Sequence, residues 1–137
     1  MEILEKLRQW LMGFPGWGDA PLAVDTTGSE PGSCGLFPLG QELLERREDV
    51  LGGSVCRWRM VFTLRRTAIR GDSGWLLAFQ KWVQSQNEQR LCPVLGDEPA
   101  REQLRAEGGK LVAPAKAGTA CYEVRLTAEF IKRHEVT

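Results

Sequence analysis

A chain of 137 residues with 42% hydrophobic and 26% charged side chains has the size and composition of a single folded domain spanning residues 1–137, which excludes disorder throughout. Its 18 basic and 18 acidic residues cancel, so no global field draws it to nucleic acid. Every apolar run is broken within a few residues by Arg, Lys or Gly, which excludes a membrane-spanning helix, and MEILEKLRQWLMGF lacks the order of a signal peptide, so the expected location is a cytoplasm.

In chain order, Ile3, Leu4, Leu7, Trp10 and Leu11 recur at helical spacing until Gly13 and Pro15 stop the pattern, predicting an amphipathic N-terminal helix. Residues 14–35 read mostly as loop, with Leu22–Val24 a short strand. CGLFPLG is apolar but interrupted by Pro38, which suits an edge or irregular strand. QELLERREDVLGGS fits either a helical face or a solvent-facing strand; Gly52-Gly53, followed at once by alternating residues, favours a hairpin. From Val55 to Arg66 the alternation is clean. Cys56, Trp58, Met60, Phe62 and Leu64 form an apolar face, and Arg57, Arg59, Val61, Thr63 and Arg65 a largely polar one.

RGDSG then reads as a turn, with Asp72 or Ser73 as N-cap of a long central helix ending near Gln89. Trp75, Leu76, Phe79, Trp82, Val83 and Gln86 form a stripe wide enough to cover a sheet. Residues 90–103 are a Pro- and Gly-containing connection, and Leu104–Pro114 is either a weak strand broken at Gly108 and Gly109 or an exposed loop. The last strand sets Tyr122, Val124, Leu126, Ala128 and Phe130 against Glu123, Arg125, Thr127 and Glu129, and gives way to a charged tail, KRHEVT. The pattern describes an α+β domain: an antiparallel or mixed sheet with an N-terminal and a central helix packed on it.

Sites of chemistry are sparse. The only histidine, His134, sits in the charged tail where fraying is expected, which speaks against a Ser or Cys triad and against His-based metal sites. Cys34, Cys56, Cys92 and Cys121 form no CxxC pair and read as free thiols, so neither metal nor cofactor is expected. Glu45, Glu48 and Asp49 are interleaved with Arg46 and Arg47, a pattern of surface pairing. No phosphate loop occurs, and GSEPGSCG is no dinucleotide fingerprint. The basic row of Arg57, Arg59 and Arg65, with Arg66 and Arg70 nearby, could touch phosphate. The simpler reading sets that row against Glu123 and Glu129 of a neighbouring strand.

The segments SCGLFPLGQELLERREDVLGG, RWRMVFTLRR, WLLAFQKWVQSQ, LGDEPAREQLRAEGGKL and AGTACYEVRLTAEF together resemble, over nearly the whole chain, small proteins encoded in prophage structural-gene clusters of gut Firmicutes. The resemblance is most nearly to tail terminators, sometimes labelled minor tail or minor capsid proteins, in the neck and tail-completion group of long-tailed phages. It implies an α+β subunit without catalysis that forms a homo-oligomeric ring at the end of the tail tube. Its partners would be the tube protein and the head-completion connector, with DNA passing through the ring. Assembly would take place in the host bacterial cytoplasm and the product would reside in the virion tail or neck. The candidate interface residues are then Leu36, Phe37 and Leu39, Arg46 and Arg47 of the ERRED run, and Arg57, Arg59 and Arg65, with loops 14–35 and 104–118 as elements that order on assembly. Similar chains also carry a chloramphenicol-resistance label, but an acetyltransferase of that kind needs a His base in an HxxxDG context, and His134 is followed by EVT. The competing expectation is a ligand-binding or enzymatic domain whose pocket is lined by Trp58, Trp75 and Trp82.

Overall fold

The computed structural model describes residues 3–17, 22–25, 27, 32–69, 74–114 and 119–134. Five strands, β1 (Leu22–Val24), β2 (Cys34–Glu48), β3 (Ser54–Ile69), β4 (Gln103–Pro114) and β5 (Thr119–His134), form one mixed sheet in the order β1-β2-β3-β5-β4. The β1–β2 pair is parallel and the other three are antiparallel. Two helices, α1 (Ile3–Leu11) and α2 (Gly74–Glu88), complete an α+β fold. At 15 residues α2 ends where expected but is of ordinary rather than unusual length. The turn expected at Arg70–Ser73, with its cap at Asp72 or Ser73, lies outside the described residues.

Period-two alternation decides which side of the sheet is covered. Phe62 and Leu64 of β3 and Val124, Leu126 and Ala128 of β5 are completely buried on one face, where they meet Leu7 and Leu11 of α1 and Phe79 and Val83 of α2. The helices are fastened to each other by aromatic packing. Trp10 stacks on Trp82 at 4.8 Å, Phe14 meets Phe79 edge-on at 5.3 Å, and Trp17, in a short 3-10 helix at Pro15–Trp17, lies 5.7 Å from Trp75. Burying such rings contributes about 1.5–3 kcal/mol each. The Trp17 indole N–H also donates to the Leu11 carbonyl at 2.6 Å, a second bond beside that from the Phe14 amide at 3.1 Å, which ties the 3-10 turn to the end of α1.

Lengths dictate the rest of the shape. Fifteen helical residues span about 22 Å, whereas strands of 15–16 residues span about 50 Å, so the strands must outrun the helices that cover them. The surplus is an arm. From Pro38 to Glu48, β2 is exposed at every position except half-buried Leu44, and β3 and β5 accompany it as far as the pair Ser54↔His134. Pro38 is tolerated because β1 pairs with Cys34–Leu36 and, among the described residues, no strand pairs with the outer edge of β2 beyond them. Bulges fall between Pro38 and Gly40 and between Leu43 and Glu45.

Two expectations are corrected, and for residues 103–114 the strand alternative is the one that forms. β5 continues through Lys132, Arg133 and His134, so the histidine is paired in a ladder rather than frayed. Residues 103–114 form a strand and not an exposed loop, with a register shift between Glu107 and Lys110 around Gly108 at φ +73°. Loop 14–35 contains the 3-10 helix at Pro15–Trp17, and residues 32–33 already bond Thr67 at 2.7–2.9 Å.

Candidate functional site

The second sheet face carries neither α1 nor α2, and half of the predicted interface residues, Phe37, Arg57, Arg59 and Arg65, gather there. The register sets Arg59 of β3 opposite Glu129 of β5 and Glu42 of β2, and Arg65 opposite Glu123. Arg59 donates to Glu129 at 2.8 Å and lies 3.6 Å from Glu42. Arg65 donates to Glu123 at 3.0 Å, and Lys110 of β4 approaches the same carboxylate at 3.6 Å. The hydrogen bond to Glu129 raises the Arg59 pKa above its ordinary value, so this guanidinium stays charged. For Arg59 and Arg65 the expected pairing with Glu129 and Glu123 is thus what the fold forms, and exposure to water keeps each pair weak. Phe37 lies on the same face, with the Arg65 guanidinium 5.0 Å above its ring.

Arg57 and Arg125 differ. Both are exposed, and among the described residues neither has a carboxylate within ion-pair distance. Arg125 was not singled out from the sequence, although its alternation with Glu123 and Glu129 placed it on this face. It borders a trough of ≈ 330 Å³ between β2 and β4 together with Glu42, Arg59, Arg105, Glu107 and Glu129. The trough mixes both signs and has no focus of like charge that would select a nucleic-acid backbone.

The other predicted interface residues separate. Leu36 is fully buried in the core and presents nothing to a partner; the alternation in CGLFPLG does not disclose which of its faces the helices cover. Leu39, in the bulge, is 59% exposed. Arg46 and Arg47 point from the arm and pair along their own strand, with Glu48 at 3.0 Å and Glu45 at 2.7 Å. The Arg47 hydrogen bond lowers the pKa of Glu45, and an equivalent bond from Arg133 lowers that of Glu98.

The feature the sequence reading passed over is the tip of the arm. Asp49 Oδ1 accepts the amides of Leu51 at 2.7 Å and Gly53 at 3.0 Å, the Asp49 amide donates to the Gly53 carbonyl at 2.9 Å, and Gly52 takes φ +87°. That tight turn holds Val50 completely exposed and Leu51 86% exposed. The signal was in DVLGG: two aliphatic residues stand where a hairpin turn ordinarily places polar ones.

Elsewhere the polar groups are already engaged. A ≈ 400 Å³ concavity beneath residues 87–104 contains Asn87, Cys92 and Glu102. The Asn87 amide donates to the carbonyls of Val83 and Leu104 at 2.9 and 2.7 Å, and Glu102 accepts the amides of Leu95 and Gly96 at 2.8 and 2.5 Å. Burial pushes the Cys92 thiol up to about 11, helped by Glu102, and pushes Cys34 up to about 11 against the opposing charge of Arg66. Neither is a ready nucleophile at neutral pH. Trp75 and Trp82 lie in the seam between the helices, and Trp58 packs at the core margin, so the three do not surround a common cleft. Among the described residues no three His, Cys, Asp or Glu side chains cluster as metal ligands, and no helix is long and apolar enough to cross a membrane. No family model matches the chain, and no curated protein matches it.

Proposed function

We propose that this protein is a phage structural subunit, a tail terminator or head–tail joining protein that assembles with copies of itself into a ring at the end of the tail tube. The observation that carries the reading is the bare sheet face. It is broad, covered by neither α1 nor α2 and laced by the ladders Glu42–Arg59–Glu129 and Arg65–Glu123–Lys110, so that it offers partners a fixed mosaic of both signs. Such a mosaic supports docking between proteins without asking for a cofactor or a catalytic group. The resemblance of the sequence to prophage neck and tail proteins supplies the class of assembly.

On this reading the tube protein lies on one side of the ring and the head-completion connector on the other, and the protein performs no catalysis. DNA passes through the lumen without being held, because Arg59 and Arg65 are neutralised by Glu129 and Glu123 and the chain as a whole carries no net charge. The subunit is assembled in the host bacterial cytoplasm and travels in the tail or neck of the virion. The test is an inducible lysogen with this gene deleted, examined by negative-stain electron microscopy. The expected outcome is overlong tubes and unattached heads, corrected by the gene in trans; joined particles with tails of normal length would refute the reading.

A further inference from the structure

We infer that the arm is a docking finger: Val50 and Leu51 insert into a shallow apolar concavity formed by Trp10, Leu91, Pro93 and Val94 of a second copy of this chain. The inference deepens the ring reading and rests on it for the number of subunits, while the contact itself stands on three observations.

The first is the finger. Two aliphatic side chains held bare on a turn with one carboxylate-to-amide clamp constitute a preformed apolar wedge, and little conformational freedom remains to be lost when it binds. The second is the receptor. Where the chain leaves α2 it exposes Leu91 (55%) and Val94 (49%) beside the half-buried Trp10 ring, around a concavity of ≈ 500 Å³ walled by Lys6 and Gln9. That wall is fixed: Lys6 Nζ donates to the Val94 carbonyl at 3.0 Å, and the Trp10 indole donates to Gln86 at 3.0 Å while its ring stacks on Trp82.

The third is charge. Asp49, directly behind the wedge, has no cationic partner among the described residues. Lys6, in the wall of the concavity, likewise has no carboxylate partner among them. An unpaired anion at the base of the finger therefore meets an unpaired cation, Lys6, in the wall of the receptor. Finger and receptor are different patches of one chain, and with Val50 wholly exposed the finger does not occupy its own receptor. A contact between unlike patches repeats head to tail, the arrangement that closes into rings.

The experiment uses purified full-length chain carrying the photo-cross-linker p-benzoylphenylalanine in place of Leu51, mixed with heavy-nitrogen-labelled wild type so that adducts between copies are identified by mass. The expected adduct joins residue 51 to the labelled 91–95 segment. Leu91→Asp with Val94→Asp in the labelled copy lowers its yield by about tenfold, the equivalent of about 1.4 kcal/mol. All these positions are exposed, so folding is retained and is checked by circular dichroism. Adducts confined to other segments, or none at any concentration up to the solubility limit, would overturn the finger contact. If residue 51 misses 91–95 while gene deletion still gives overlong tails, the contact is wrong and the tail reading survives. The converse pair of results keeps the contact and removes the tail reading.

Discussion

Gly96 is a position where one methyl group decides whether a loop can dock. An ideal Cβ there would come within 2.3 Å of the Ile131 carbonyl oxygen, to which the next residue, Asp97, donates its amide at 2.7 Å. The Asp97 carboxylate in turn accepts the Arg133 amide at 2.7 Å, so the close approach locks the 95–98 segment along the end of β5. Gly96→Ala should cost about 1–3 kcal/mol by overpacking, lowering the urea midpoint and speeding exchange of the Asp97 amide. An unchanged midpoint would show that the loop gives way freely. The thiols give a second residue-scale prediction. Cys34 ionises near 9.0 in the unfolded chain and near 11 when folded. Between those values the native state holds more protons than the unfolded one, so stability is full below pH ~9 and declines as the pH rises toward ~11. Cys34→Ala should show a shallower decline in Tm across this window; parallel curves for the two proteins would refute the assignment. At this scale the Arg59–Glu129 and Arg65–Glu123 pairs were legible, because alternation fixes which residues share a face. Gly96 was not, since nothing in RLCPVLGDEP announces a carbonyl lying across the chain. Leu36 was misassigned for a similar reason: local alternation gives a phase but not the side on which the helices lie.

Among the elements, the β2–β3 hairpin depends on Asp49. Removing its carboxylate in Asp49→Ala would release the amides of Leu51 and Gly53, at a cost of about 0.5–2 kcal/mol for two charge-assisted bonds at an exposed turn. The expected signature is local: faster hydrogen exchange at residues 50–53 with little change in global Tm. Uniform loss of protection along β3 would mean that the turn nucleates the whole sheet. Gly52-Gly53 marked this hairpin in the sequence, and the terminal strand and both helices were equally plain from their periods. The bulges of β2 and the reach of the arm were hidden, because a half-covered strand and a strand running past its cover have the same alternation. Comparing element lengths is the calculation that would have exposed the arm: the α2 stripe is too short to roof the strands beneath it.

For the molecule as a whole, composition and pattern were sufficient for an α+β domain with its helices on one face. They did not yield the strand order, because one pairing, β3 with β5, joins strands that are far apart along the chain. β3, the middle strand, gains its first partner across the short Asp49–Gly53 turn, but its second, β5, lies 50 residues away at Ile69↔Thr119 and 80 residues away at Ser54↔His134. Loop closure over such distances precedes any reward from packing, which places the chain among slow, topology-limited folders, in the millisecond-to-second range of non-local β structure. During synthesis the hairpin emerges after α1 and before α2, and one edge of β3 stays unsatisfied until β5 leaves the ribosome. The chain therefore passes through translation as a sticky half-sheet, and the interval before β5 arrives is when it most needs a chaperone.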